Sequence, residues 1–305
     1  MISAKSIKMY LQHPIKLLLR VGKNSFLKKL SDEKYLRILF REKMGYILNL
    51  DEPKTFNEKL QWLKLHDRKP LYTTLVDKCE VKKYIAENVG EEYVIPNLGL
   101  WDSFDDIDFD ALPNQFVLKC THDSGGLVIC RDKYKFNHEK ARLKIQRSLR
   151  RNYYWSNREW PYKYVKPRII AEKYMEDENA VQGLTDYKFF CFNGEPRMIY
   201  VSQGLENHAT ASISFYDMQG KPMPFCRSDY RPITGEMRLP QNFDEMTSVA
   251  TSIAQKVDSP FVRIDLYSIH GKTFFSEVTF SPCSGMIPFD PKEWDEKLGM
   301  WIALN

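Results

Sequence analysis

The stretch that most constrains this chain is Arg263-Ile264-Asp265-Leu266, followed by Phe274-Phe275-Ser276-Glu277-Val278-Thr279-Phe280-Ser281-Pro282. The spacing predicts two strands joined by a turn at Ser268-Ile269-His270-Gly271. Alternation puts Arg263 and Asp265 on one face of the first strand, with Ile264 and Leu266 on the other. On the returning strand Glu277 and Thr279 share a face, opposite Ser276, Val278 and Phe280. In that register Asp265, Glu277, Thr279 and Arg263 converge on one patch. Two carboxylates and a hydroxyl beside a guanidinium suit a divalent cation carrying phosphates, because magnesium takes hard oxygen ligands, usually one or two carboxylates completed by phosphate and water. The residues alone fit equally an edge hairpin whose polar face is simply wet.

A second run narrows the choice. Gln115-Phe116-Val117-Leu118-Lys119-Cys120-Thr121 is a short apolar strand carrying Lys119 near its end. His122-Asp123-Ser124-Gly125-Gly126 follows, and Leu127-Val128-Ile129-Cys130 resumes as a strand. A small-residue turn with two glycines lets backbone N–H groups approach a phosphate closely, although Ser-Gly-Gly also suits an ordinary hairpin. A lysine inside an apolar run calls for an anionic partner. The pattern is neither the G-x-x-x-x-G-K-[ST] loop nor G-x-G-x-x-G. A third segment, Arg168-Ile169-Ile170-Ala171-Glu172-Lys173-Tyr174-Met175, is an extended run. Its end can offer backbone groups to an adenine edge and an acceptor to a ribose.

The order of these parts, with Val76-Asp77-Lys78 opening a helix ahead of them, resembles that of ATP-grasp ligases. Thr55-Phe56-Asn57-Glu58-Lys59-Leu60-Gln61-Trp62-Leu63-Lys64, Asp186-Tyr187-Lys188-Phe189-Phe190-Cys191-Phe192-Asn193-Gly194-Glu195-Pro196 and Glu277-Val278-Thr279-Phe280-Ser281-Pro282 resemble segments of the TupA-like (teichuronopeptide-biosynthesis-type) ATP-grasp family. The likeness extends over roughly residues 50 to 300. It implies an α+β ATP-grasp fold that uses ATP and Mg²⁺. By the same resemblance Lys78 and Lys119 hold phosphates, and the loop Asp123, Ser124, Gly125 and Gly126 folds over the nucleotide. Glu172, Lys173, Tyr174 and Met175 form the adenine hinge, and Glu178 or Asn179 takes the ribose hydroxyls. Asp265 and Glu277 ligate magnesium, and Arg263 faces the transferred phosphoryl group. Apart from the resemblance, Lys188 and His122, the latter for its place beside the glycine loop, are read as completing the catalytic set. Where the family pattern has an asparagine as third metal ligand, this chain has Thr279, a weaker neutral donor.

The implied reaction is ATP-dependent carboxylate–amine ligation through an acylphosphate, on a uronic acid or amino-acid group in cell-surface polysaccharide synthesis. Two other readings stay open from the residues. One is a glycosyltransferase of the same pathways, against which no D-x-D stands beside a Rossmann-type unit. The other is a non-catalytic assembly protein that retains the fold, which the loss of the third ligand at Thr279 permits.

Charge places a further constraint. The formal net charge is +5, yet residues 1–31 hold Lys5, Lys8, Lys16, Arg20, Lys23, Lys28 and Lys29 and no acid. Without those seven the body has 38 basic against 40 acidic residues, so basicity belongs to one arm and does not signal nucleic acid. Ile7, Leu11, Leu17, Leu18, Val21, Phe26 and Leu30 recur among the lysines at helical spacing. The arm therefore reads either as a helix packed on the domain or as one lying on an anionic membrane surface. A basic, aromatic cluster at Arg147, Arg150, Arg151, Tyr153, Tyr154, Trp155 and Arg158 suits stacking on a sugar ring or holding an anionic acceptor.

No apolar run approaches the roughly 18 residues of a membrane span. Six cysteines without C-x-x-C pairing read as reduced, buried thiols of a cytoplasmic protein. Scattered histidines without H-x-x-x-H or H-E-x-x-H argue against zinc, and no G-x-S-x-G elbow is present.

The chain divides into a basic helical arm (1–50), a leading region (51–112), a small subdomain with the nucleotide loop (113–175) and a C-terminal subdomain with the metal hairpin (176–305). Predicted helices run from Thr55 to about His66, from Asp77 to about Val89, from Lys133 to about Arg151, around Phe243 to Val257, and over 291–304. Predicted strands cover 96–101, 168–174, 186–192, 196–203 with a turn at Asn193-Gly194, and 210–217.

Overall fold

The computed structural model describes residues 27–177, 184–203, 211–233 and 237–304. In chain order the helices are α1 (Asp32–Met44), α2 (Phe56–His66), α3 (Leu71–Val76), α4 (Glu80–Asn88), α5 (His138–Leu149), α6 (Tyr154–Asn157), α7 (Phe243–Val257) and α8 (Glu293–Met300). The strands are β1 (Asn97–Trp101), β2 (Phe116–Cys120), β3 (Leu127–Cys130), β4 (Ile169–Lys173), β5 (Asp186–Phe192), β6 (Glu195–Gln203), β7 (Ser212–Asp217), β8 (Cys226–Arg227), β9 (Phe261–Ile269), β10 (Lys272–Thr279) and β11 (Phe289–Asp290). They form a four-stranded sheet ordered β1-β4-β2-β3, a five-stranded sheet ordered β10-β9-β5-β6-β7 and a β11-β8 ribbon. This is the expected α+β architecture.

Both faces of the larger sheet are covered, and alternation decides which residue meets which layer. Phe189, Cys191, Ile199, Val201, Ile264 and Leu266 pack with α7 through Met246, Ala250 and Ile253. Their neighbours Phe190, Phe192, Met198, Phe215 and Phe261 pack against α2 and α8 through Phe56, Leu60 and Leu298. Arg263, Asp265 and Lys188 have the same parity as this second, phenylalanine-rich set. They sit on the face that α2 and α8 cover.

Local chemistry sets the boundaries. Thr55 and Glu58 close a capping box at the start of α2. Asn193 and Gly194, at φ 50° and 85°, make the tight β5–β6 turn, and His270 and Gly271, at φ 52° and 73°, make the β9–β10 turn. The second turn is two residues long because Ile269 stays in the strand. Three predicted boundaries shift. Asp77 accepts from the backbone of Cys79 and Glu80, but regular helix begins only at Glu80. The helix expected from Lys133 starts at His138, where Asn137 caps it. The last helix spans Glu293–Met300 rather than 291–304.

Helix α8 crosses the start of α2 at very short range. A Cβ on Gly299 would fall 2.1 Å from the Lys54 carbonyl oxygen. Gly→Ala inside a helix ordinarily stabilises by about 0.5–1 kcal/mol. Here the backbone contact reverses the sign, and Gly299→Ala is expected to destabilise by about 1–3 kcal/mol. Urea or thermal melts followed by circular dichroism check this; a gain in stability would mean that the helices can separate freely.

Candidate active site

The β9–β10 hairpin pairs Asp265 with Glu277 and Arg263 with Thr279, and its register shifts between Phe275 and Glu277. That irregularity at Ser276 explains why Phe275 and Val278, which strict alternation would put on opposite faces, are both fully buried. The four predicted residues do converge. Arg263 grips Asp265 with two bonds, Nε to Oδ1 at 2.6 Å and Nη2 to Oδ2 at 2.7 Å. Its Nη2 also donates to Thr279 Oγ1 at 3.0 Å and lies 3.9 Å from Glu277 Oε2. Lys188 on β5 donates to Asp265 at 2.8 Å and to Asp186.

Burial raises the Asp265 pKa, but Arg263 and then Lys188 outweigh it and hold the carboxyl below its ordinary range. Burial pushes Asp186 up; Lys188 opposes that rise and the nearby Asp265 charge adds to it. Lys188 is held above its usual value, because the two aspartates overcome its desolvation.

Lys78 and Lys119 bring two more cations to the hairpin. Lys78, in the turn before α4, donates to the Asp123 carbonyl at 2.6 Å and stands 3.7 Å from Glu277. It thus bridges the small-residue loop and the hairpin. Lys119 on β2 pairs with Glu172 on β4 at 2.5 Å. The other oxygen of Glu172 meets Lys82 on α4 at 2.6 Å. Burial pushes the Glu172 carboxyl up, yet Lys119 and Lys82 together pull it down to about 2. The Glu172 side chain, expected at the adenine hinge, is therefore committed to two lysines. Lys173 gives its backbone N–H to the Pro96 carbonyl. Tyr174 and Met175 lie beyond the strand end, and the Tyr174 hydroxyl accepts from Arg131 at 3.0 Å. Glu178 and Asn179 lie outside the described residues.

The loop is clamped at its base and open at its tip. His122 is buried, and its Nε2 lies 3.2 and 3.0 Å from the Ser148 and Arg151 carbonyls at the end of α5. The ring thereby tethers a helix end. Asp123 accepts from Ser148 Oγ and from the Gly126 backbone N–H at 3.3 Å. A Cβ on Gly126 would approach Ser148 Oγ to 2.5 Å, so only glycine lets the loop close on α5. Ser124 and Gly125 are exposed.

Sequence reasoning missed a second wall. After the hairpin, Cys283, Ser284 and Gly285 all have left-handed φ, 50°, 60° and 59°, a strained run for two residues with a Cβ. Helix α2 holds it. Gln61 Nε2 donates to the Ser284 and Gly285 carbonyls at 3.1 and 2.7 Å, and Lys64 Nζ donates to the Ser284 carbonyl at 2.7 Å. Ser284 Oγ donates to Glu159 at 2.7 Å. Burial lowers the Lys64 pKa to about 8 against the pull of Glu159. The signature segment at 55–64 is thus a dock for this turn. Its i, i+4 and i+7 polar spacing at Asn57, Gln61 and Lys64 was the available signal.

Two expectations are corrected. Arg158, from the basic aromatic cluster, is 1% exposed and enclosed by the rings of Tyr35, Tyr154 and Trp155; it donates to the Leu27 carbonyl at 2.8 Å and is structural. All six cysteines are free, but Cys283 is exposed rather than buried.

The family profile described as TupA-like ATPgrasp matches residues 58–303. The chain belongs to the TupA-like ATP-grasp family. Among solved structures it is similar to a Bacillus anthracis D-alanine–D-alanine ligase (19% identity, TM-score 0.39, 68% of this chain and 57% of that one). The same enzyme complexed with ATP is 16% identical, with a TM-score of 0.41 over 75% and 64%. The Helicobacter pylori ligase is 12% identical, with a TM-score of 0.43 over 82% and 70%. The chain spans less than two thirds of the length of the first two. No curated protein sequence matches it. No helix among the described residues is long and apolar enough to cross a membrane.

The donor set fits magnesium. Glu277 is part-exposed and, among the described residues, meets Lys78 at 3.7 Å and Arg263 at 3.9 Å, and Asp265 lies opposite it in the ladder. Two carboxylates suffice when phosphates supply the remaining oxygens. Among the described residues no three acidic, histidine or cysteine side chains are grouped as a metal cage.

Glu172 gives a pH test. Its folded pKa lies below the ordinary 4.5, so its contribution is complete above that value and is lost as pH falls toward 2. The linkage amounts to about 3 kcal/mol. Glu172→Gln is expected to cost about 3–5 kcal/mol at pH 7, because it leaves Lys82 and Lys119 uncompensated. The gap to wild type should narrow below pH 4.5. A gap that is constant from pH 7 to pH 2.5 in denaturant melts would show that the charge plays no part.

Proposed function

We propose that the protein is an ATP-dependent carboxylate–amine ligase acting on a uronic acid or amino-acid group in surface-polysaccharide assembly. The supporting observation is the meeting of Lys78, Lys119, Arg263, Asp265 and Glu277 from four separate elements beside a glycine loop, in a chain of this family. A substrate carboxylate attacks the γ-phosphorus of ATP, ADP leaves, and the amine then displaces phosphate from the acylphosphate to form an amide. Phosphoryl transfer asks a protein mainly for positioning and charge neutralisation. Lys78 and Lys119 hold the phosphates, with Glu172 aiming Lys119. Arg263 faces the transferred group, and Lys188 holds Asp265 in place. Asp265 and Glu277 would hold Mg²⁺, which offsets charge on the phosphate oxygens. The loop at Ser124 and Gly125 screens the acylphosphate from water.

The direct test is ADP release in the presence of ATP, magnesium and paired carboxylate and amine substrates. Release that needs both co-substrates supports ligation; UDP release from a UDP-sugar would replace it with the glycosyltransferase reading. Glu277→Gln keeps the shape of the side chain and removes its charge, so turnover should fall about 10²–10³-fold with an unchanged melting temperature. Mg-ATP at about 100 times its Kd should stabilise wild type by roughly 2.7 kcal/mol and Glu277→Gln by less. Full activity in the variant would remove Glu277 from the metal site.

The basic arm supplies a location. Residues 1–26 lie outside the described residues, while Leu27 is buried and its carbonyl binds Arg158. Truncation before Leu27 keeps every described residue of this region, including the Leu27–Arg158 contact. Full-length protein is expected to sediment with anionic vesicles at low salt and to be released near 1 M, where screening shortens to about 3 Å; the truncated protein should stay in solution. Binding to neutral vesicles, or equal behaviour of both proteins, would remove the membrane role.

A further inference from the structure

Helix α5 buries one side and charges the other. Ala141 and Ile145 are buried against the smaller sheet, with Leu149 packed beside them. The opposite side carries Lys140, Lys144, Arg147 and Arg150, all exposed. Lys140, Lys144 and Arg147 fall at i, i+4 and i+7 and so line up along the helix; Leu143, 56% exposed, stands among them. Glu139 is the only acid in the helix. On the flank toward the acidic segment 105–110, Arg142 pairs with Asp105 at 2.7 Å, and past the helix end Arg151 meets Asp123 at 3.4 Å. Among the described residues no carboxylate pairs with the four exposed cations. Ahead of the helix, the turn Lys133-Tyr134-Lys135 holds a tyrosine that is 98% exposed. At the other end the helix grips the base of the glycine loop. His122 Nε2 lies against the Ser148 and Arg151 carbonyls, and Asp123 accepts from Ser148. The row of cations thus runs from an open aromatic ring to the loop that Lys78 contacts.

We infer that the outer face of α5 docks a polyanionic glycan, a chain of uronic-acid residues, and leads it toward the glycine loop. That such a chain is the enzyme's own acceptor rests on the ligase reading; the docking itself does not. The cations lie in a row and do not converge, so a single small anion gains one contact where a polymer gains several together. Their steps along the axis are about 4.5–6 Å at 1.5 Å per residue. That is the scale of one sugar residue, so a carboxylate on each sugar meets the row in step. The Tyr134 ring offers an apolar platform to the C–H face of a sugar. A bilayer fits this surface less well. The apolar side of α5 is committed to the sheet, and Leu143 alone leaves too little apolar area on the helix to enter an interface.

The probe is polygalacturonate, with dextran as the neutral polymer and polyphosphate as an anionic chain without sugar. Full-length protein is used throughout, so the basic arm contributes equally to every variant. Lys140→Gln, Lys144→Gln and Arg147→Gln combined should weaken polygalacturonate binding about tenfold at low salt, with an unchanged melting temperature. Glu139→Gln, which removes the acid, should tighten it. Tyr134→Ala should weaken polygalacturonate binding and leave polyphosphate binding as it was, because only a sugar has a face to set on the ring. Equal affinity in wild type and the triple variant overturns the proposal. If the triple variant fails to fold, unchanged affinity in Glu139→Gln and Tyr134→Ala overturns it as well. Dextran bound as tightly as polygalacturonate removes the role of charge, and equal losses of polygalacturonate and polyphosphate in Tyr134→Ala remove glycan recognition. Loss of sedimentation with anionic vesicles in the triple variant, with polygalacturonate binding intact, gives the face to a membrane instead. Mg-ATP stabilisation on the same proteins separates the two readings. Flat affinities with normal stabilisation remove the docking face alone, and absent stabilisation in wild type removes the ligase reading alone.

Discussion

The site depends on a buried carboxylate held between two cations. Asp265 is 1% exposed on a central strand, with Arg263 on one side and Lys188 on the other. An isolated charge there would be prohibitive, and taking away one partner of a buried pair costs about 3–5 kcal/mol. Asp186 completes the balance, so two acids face two bases inside the sheet. The balance has a chemical consequence. Under the proposed function, a divalent cation at Asp265 would compete with the two bases that hold it, and a phosphate bound with it would offer Arg263 another partner. In that proposed complex, metal and phosphate together would keep the charge count even where either alone would upset it.

A second ion cluster solves a similar problem in the smaller sheet. Glu172 lies on β4, between β1 and β2, and reaches Lys119 on β2 and Lys82 on α4. Lys82 also donates to the Ile95 carbonyl before β1 and to the side chain of Asn97, the first residue of β1. One carboxylate thus ties a helix, a loop and two strands, and it fixes the lysine that points toward the hairpin. Lys78, four residues before Lys82 in the turn into α4, contacts both the loop and Glu277. The turn into α4 is therefore the strut by which the two sheets share one cluster of charges.

Much of this was legible in the chain because it is local. Alternation at 263–266 and 277–279 placed four side chains on one face, and the hairpin register depends on the same period of two. Asn193-Gly194 and Thr55 with Glu58 announced their own turn and cap. What was hidden depends on contacts distant in sequence. Lys82 is four residues after Lys78, but nothing nearby shows that it reaches Glu172. Nothing beside His122 shows that its ring reaches the end of α5, some 26 residues on. The Ser276 irregularity, the helix at Leu71–Val76 and the enclosure of Arg158 by three rings are likewise decided by packing, which overrides local pattern.

The segment at 55–64 shows how a motif can belong to a site that it does not enter. Its apolar residues Phe56, Leu60 and Leu63 bury one face against the larger sheet. Its polar residues face the turn at 283–285, more than 200 residues later. A left-handed run that contains two non-glycine residues costs of order 1–3 kcal/mol per residue, so it persists only where other contacts dictate it. Gln61, Lys64 and Glu159 supply them, and Gly285 is required because a Cβ would come within 2.6 Å of Gln61 Nε2. The backbone that follows the hairpin is held to one path, and that path carries Cys283 to a small cavity beside Arg263. Helix α2 thus acts on the site through the shape of a turn, and the spacing of its polar residues is set by the carbonyls they must reach.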